Sequence, residues 1–144
     1  MLAVLVARHT TRTLMAQPNR VDLAAIELHT YLATLPKDAL VAGNAPEIDA
    51  VPLFAHRRIL WGAEQALPYY TGYHREMERR KRAIDRAFRE AARPQRAHFC
   101  RSFGVTHLVA EKGATAPEVL ESLRGDRVFE NRRFLVSDCP RGAA

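Results

Sequence analysis

Six arginines, Arg75, Arg79, Arg82, Arg86, Arg89 and Arg93, follow one another at intervals of 4, 3, 4, 3 and 4 residues. At about 100° per residue this spacing puts all six guanidiniums in one narrow sector of an α-helix. A row of fixed positive charge suits three tasks. It can track the phosphates of a nucleic acid, because charge neutralisation dominates such binding. It can lie against an anionic lipid surface. It can also dock an acidic patch on a partner or elsewhere in a larger protein. The plain alternative is a solvated helix face, steadied by pairs such as Glu78 with Arg82 and Asp85 with Arg89 at i, i+4. Nucleic acid ranks last, since no RNP-like, zinc-finger or glycine-loop pattern accompanies the row. Tyr69, Tyr70 and Tyr73 are able to stack on bases, but a tyrosine cluster before a helix more often packs.

Other chemistry-bearing residues do not assemble into a motif. His98 and Cys100 stand at i, i+2 and point to different sides of a helix, which makes them poor joint ligands. CxxC, HxxxH and HExxH are all missing, and His56, His74 and His107 belong to different elements, so no metal and no cofactor is expected. Gly43-Asn-Ala-Pro46 follows a strand but lacks the spacing of a phosphate loop and reads as a turn. There is no GxSxG, and no catalytic residue is assigned. Asp38, Asp49 and Glu64 sit near strand ends, where α/β domains place ligand groups, but three carboxylates among 16 acids are weak evidence and surface solvation is the role expected of them. Cys100, flanked by Phe99 and Phe103, reads as a buried structural thiol; a bridge to Cys139 is possible, but spacing does not decide it and the redox compartment stays open.

The chain that positions these residues has 144 residues, 47% hydrophobic and 26% charged, the size and composition of one globular domain. Its net charge of +6 is local. Residues 75–101 hold ten Lys/Arg against four acids, while the remainder balances twelve against twelve. The opening Met1–Ala7 is apolar but far short of the roughly 20 residues that cross a bilayer as a helix. It suits a terminal strand or helix start, or the stub of a membrane helix lying upstream.

Hydrophobic periodicity predicts a helix capped by Asn19 through about residue 34, with Leu23, Ile26, Leu28, Leu32 and Leu35 as its apolar positions. Strands are predicted at 39–43, 58–61 and 106–110, a helical turn at 50–55, and the long arginine helix from about Arg75 to Ala92, closed by Pro94. Met77, Ile84, Phe88 and Ala91 form its core side, with Lys81 near that sector. A helix over His98–Ser102 capped by Gly104, another over Ala116–Leu123, and a strand–turn–strand ending around Glu130-Asn131 complete the chain. The fold class is α/β: a small, largely parallel sheet covered by helices, with one long Arg-rich amphipathic helix. Residues 1–18 form a lead-in, possible stub of a membrane tether, and 19–144 a single domain.

Four stretches occur in a suggestive order: Leu35-Pro-Lys-Asp-Ala-Leu-Val-Ala-Gly43, Val51-Pro-Leu-Phe-Ala-His-Arg-Arg-Ile-Leu60, Pro68-Tyr-Tyr-Thr-Gly-Tyr73 and Phe103-Gly-Val-Thr-His-Leu-Val109. Over roughly residues 30–111 this succession resembles the soluble C-terminal domain that follows the last membrane helix in bacterial multi-spanning, glycosyltransferase-like membrane proteins that use lipid-linked sugars. In that family the catalytic acids lie in loops between membrane helices, so the resemblance carries no catalytic residue over. It implies a non-catalytic, extracytoplasmic, membrane-tethered accessory domain whose partner is the membrane-embedded part of its own parent protein or an anionic surface. An arginine-rich face outside the cytoplasm runs against the positive-inside tendency, although whole domains escape that rule. The residues alone leave open a free-standing cytoplasmic module for a small ligand or nucleic acid, and an enzyme built from scattered side chains.

Overall fold

Asp22 caps the first helix in the computed structural model of the chain, which describes residues 22–65 and 71–140. Its carboxylate accepts from the backbone N–H of Ala24 at 3.0 Å, satisfying one of the donors that a helix start leaves open. Helix α1, Leu23–Ala33, therefore begins at Asp22; the expected cap Asn19 and the lead-in lie outside the described residues. Ala24, Leu28 and Leu32 form its buried side, whereas Leu23 and Ile26 are exposed.

Short apolar runs then supply strands β1, Leu40–Gly43; β2, Arg58–Ile59; and β3, His107–Glu111. A 3-10 turn, Pro46–Ala50, and the one-turn helix α2, Val51–Phe54, connect β1 to β2. Helices α3, Thr71–Ala87, and α4, Arg93–Phe103, lie between β2 and β3. Helix α5, Pro117–Arg124, leads to β4, Arg127–Glu130, and β5, Phe134–Asp138.

The five strands lie in the order β2-β1-β3-β5-β4. Strand β1 runs parallel to β2 and β3, but β5 is antiparallel to both β3 and β4. The sheet is thus mixed rather than largely parallel. The hairpin reverses the chain between β4 and β5, because a tight turn can join only antiparallel strands. Asn131 builds that turn: its Oδ1 accepts from the N–H of Arg133 and Phe134 at 3.0 and 2.8 Å. Its side-chain amide also donates to the Ala24 carbonyl of α1 at 2.9 Å, fixing the hairpin against the first helix.

Alternation along the strands divides the core between the two faces of the sheet. Val41, Val109, Phe134 and Val136 pack with Leu28, Leu32 and Val51, under α1 and α2. Ala42, Leu108, Ala110 and Leu135 pack with Ile84, Phe88, Phe99 and Leu123, under α3, α4 and α5.

The expected arginine helix ends earlier than Ala92, and the helix after it starts earlier than His98. Helix α3 ends at Ala87, and Pro94 opens α4 instead of closing α3. Proline is at home in a first helical turn, where its missing N–H has no intrahelical acceptor. Met77, Ile84 and Phe88 are buried as expected, and Gly104 ends α4 in the left-handed conformation at φ 67. Cys100 is buried but is not a free thiol. It is bridged to Cys139, with their Cα atoms 5.9 Å apart across 39 residues of sequence. The chain leaving β5 passes the end of α4, held there by the Cys139 N–H donating to the Thr106 carbonyl at 2.9 Å.

Candidate functional site

All six arginines of the row are exposed, although they do not share one helix. Arg75, Arg79, Arg82 and Arg86 stand on α3, Arg89 in the link, and Arg93 opens α4. The ion pairs differ from those predicted. Glu76 takes Arg79 in a two-pronged contact at 2.7 and 2.8 Å and Arg80 at 2.8 Å, and these guanidiniums hold its carboxyl down to about 2. Asp85 pairs with Lys81 at 2.9 Å, while Arg89 reaches only the Asp85 carbonyl. Lys81 also lies 5.6 Å above the Trp61 ring, which explains its place near the apolar sector. Arg93 pairs with Asp126 of the α5–β4 connection at 2.6 Å. Among the described residues Arg75, Arg82 and Arg86 form no ion pair.

Arg79 separates two clefts and lies 4.8 Å over the Phe103 ring. One, of about 610 Å³, is walled by Arg58, Glu76, Arg80 and Phe103 at the β2 edge. The other, of about 670 Å³, runs between α3 and α4 over Ala83, Ala87, Phe99 and Phe103, with Arg86 and His98 on its rim. The arrangement offers guanidinium donors beside an aromatic floor, which suits an anionic surface rather than a reaction. Within it Ser102 Oγ and His98 Nε2 are 3.4 Å apart, a pairing the sequence analysis did not single out. Both side chains are on the exposed side of α4, and no carboxylate is hydrogen-bonded to His98 among the described residues, so the pair lacks the orienting group that nucleophilic catalysis needs.

Ligands of α/β sheets usually bind at the carboxyl ends of the strands, in the crevice where successive connections leave to opposite faces. Here that crevice lies between β1 and β3, where side chains tie the two loops together, while a cleft of about 320 Å³ stays open beside it against Gly43, Asn44, Asp49, Trp61 and Lys81. A Cβ on Gly43 would lie 2.6 Å from the Val109 carbonyl oxygen and 2.8 Å from Ile48 Cδ1, so β1, β3 and the turn after β1 meet there without room for a side chain. The Asn44 amide donates to Thr115 Oγ1 at 2.8 Å, and its Oδ1 accepts from the Glu111 N–H at 2.9 Å. Beside it Arg133 binds Glu47 at 2.8 Å, Glu111 at 2.6 Å and also Asp22, and stacks 4.7 Å over the Phe134 ring. The Glu111 bond leads in raising the already high pKa of this guanidinium. Burial works to raise the Asp22 carboxyl, but Arg133, the Ala24 N–H and Arg132 outweigh it and the net shift is downward.

The three carboxylates near strand ends do not come together. Asp49 accepts from the Ala63 N–H at 2.8 Å and holds the turn after β2. Asp38 precedes β1 and so lies at the amino end of the sheet, and Glu64 is exposed. Among the described residues no group of three His, Cys, Asp or Glu side chains is placed to hold a metal ion.

Sequence reasoning also missed three structural arginines. Arg96 is 1% exposed and donates to the Ala91 carbonyl at 2.8 Å and to Ser122, tying the α3–α4 link to α5; burial lowers its pKa. Arg57 donates to the carbonyls of Ala33 at 2.7 Å and of Leu35, closing the C-terminal end of α1. Arg133 is the third. Each stands in a run of charged or polar residues that looks like surface. Compared with models of known protein families and with curated protein sequences, the chain matches none.

Proposed function

We propose that this chain is a non-catalytic accessory domain of a multi-spanning, glycosyltransferase-like membrane protein, placed outside the cytoplasm and packed on, or gating, the membrane-embedded part. The Cys100–Cys139 bridge carries the proposal. Disulfides persist in oxidising compartments and are rare in the cytosol. Its Cys100 half is buried among Phe99, Val105 and Leu108, with Cys139 partly buried against the same cluster, as suits a structural bridge. The ties that Asn44 and the Arg133 cluster make between the loops after β1 and β3 fit a structural use of that edge of the sheet. No described helix is long and apolar enough to cross a membrane, so the anchoring part belongs elsewhere in this reading.

A second reading, a free-standing cytoplasmic module for nucleic acid or a small ligand, draws on the exposed arginine row. Thiol trapping in cells separates the two. Acid-quenched cells are treated with a maleimide-linked polymer that adds mass to every free thiol. The proposal expects both cysteines to be protected until a reductant is added. Two reactive thiols in the quenched cells would favour the cytoplasmic module.

A further inference from the structure

Helices α3 and α4 fold back on each other and leave an apolar groove between them. Arg79 lies 4.8 Å over the Phe103 ring at one end, and the link 88–92 turns the chain at the other. Ala83 and Ala87 of α3 face Phe99 and Phe103 of α4 across it. Phe99 is 6% exposed, and its ring centroid is 5.4 Å from that of Phe103, so the floor is built before anything binds. Alanines at i, i+4 keep the α3 side low enough for a further helix to pack closely. The rim is cationic. Glu76 takes Arg79 through Nε and Nη2, which holds this guanidinium over the groove and leaves Nη1 without a hydrogen bond among the described residues. Arg86, two turns along the same helix, forms no ion pair among the described residues. Glu90 is the one carboxylate that lines the groove, and it stands at the link end.

We propose that this groove docks an acidic amphipathic helix of a partner protein. Its apolar stripe lies on the floor of Ala83, Ala87, Phe99 and Phe103, and its carboxylates meet Arg79 and Arg86. The floor runs about 12 Å along α3 from Arg79 to Ala87, which apolar anchors at i, i+3 or i+4, and i+7 span. Charge selects the occupant. Residues 75–101 hold ten Lys/Arg against four acids, so a second copy of the chain would bring like charge to the same place. A nucleic acid offers phosphates to the arginines but no apolar stripe for the floor. A bilayer is flat over this distance and would reach the guanidiniums without filling the recess over Phe99. The inference stands on the groove and its charges, whether or not the accessory reading holds; within that reading the acidic helix belongs to the membrane-embedded part.

The test titrates the full chain into a fluorescein-labelled helical peptide about five turns long, with Leu on one stripe and Glu on the rest, and reads anisotropy at low salt. A second peptide of the same composition has its Leu residues scattered around the helix. Saturable binding of the striped peptide, at least severalfold tighter than that of the scattered one, is expected. Arg86→Glu should weaken it about tenfold. Ala83→Gln, which keeps a good helix former and sets a polar side chain over the floor, should weaken it severalfold. Circular dichroism checks that both variants are folded, and the comparison of the two peptides needs no variant at all. No saturable binding of the striped peptide overturns the proposal. So does equal binding of the two peptides, which would reduce the contact to charge, or binding that Ala83→Gln leaves unchanged. Anionic vesicles that displace the peptide and bind Ala83→Gln more weakly would make a lipid the occupant and overturn it too. Each of these leaves the accessory reading standing, because the thiol state tests that separately.

Discussion

The Asn44 side-chain amide donates to Thr115 Oγ1 at 2.8 Å, and through this bond the loop after β1 is joined to the loop after β3. Thr115 passes the connection on, donating to the Glu111 carbonyl at 2.8 Å. Asn44→Ala removes one donor and one acceptor from a partly buried network and leaves the Glu111 N–H unpaired. A loss of about 1–3 kcal/mol is expected from chemical denaturation. Asn44→Asp keeps the acceptor for Glu111 and should cost less than Asn44→Ala. Equal losses would show that the bond donated to Thr115 carries the whole effect.

Phe88, just past the end of α3, is 6% exposed and packs in the cluster with Ile84, Phe99 and Leu108. Phe88→Ala should cost about 3–5 kcal/mol, read from the denaturation midpoint. Because the residue follows the last turn of α3, helical content by circular dichroism should barely change in the folded variant.

The three apolar runs that became β1, β2 and β3 were legible because each is short, continuous and bounded by Pro, Gly or charge. The core side of α3 was legible from the spacing of Met77 and Ile84. A break before the next helix was legible, but its place was not, since the arginine interval continues to Arg93 as though the helix did, and Pro94 suits a first turn as well as it ends a last one. The direction of β5 depends on the Asn131 turn and on its docking to Ala24 of α1, a contact across 107 residues that no local pattern encodes. Cysteine spacing likewise holds no record of pairing. For the candidate site, the six exposed arginines were legible as a solvent-facing sector, while Arg57, Arg96 and Arg133 were not. Their structural roles depend on which carbonyls and carboxylates the tertiary fold brings to them.

Acid should weaken the fold through Glu130. Lys112 and Arg127, at 2.8 and 2.6 Å, hold its carboxyl at about 2, below the usual 4.5. A carboxyl whose folded value is depressed contributes stability above its unfolded value and loses it as pH falls toward the folded one. Stability should therefore decline between about pH 4.5 and 2, and Glu130→Gln should flatten part of that decline. Its effect at pH 7 should be about 1 kcal/mol, because Arg127 is half exposed. A slope identical to that of the parent protein would mean that Glu130 is not held by these cations.

The arginine row makes a separate prediction. Binding through exposed guanidiniums fades with salt, since such charges are screened over about 10 Å at 0.1 M. Changing Arg79, Arg82, Arg86 and Arg89 to Gln keeps fair helix propensity and removes four charges. Cosedimentation with anionic vesicles at low salt, lost in this variant, would assign the row to a lipid surface. The same loss with a mixed-sequence oligonucleotide would assign it to nucleic acid. The accessory reading expects the oligonucleotide to be retained weakly or not at all.

The central claim concerns where the domain resides and what it is joined to. An antibody against residues 22–140 is applied to membrane and soluble fractions of the source cells, and to spheroplasts treated with external protease. The account predicts a membrane-bound product well above the 16.2 kDa of this chain, whose epitope is lost to protease without lysis. A soluble 16.2 kDa product that survives protease until the cells are broken would contradict it.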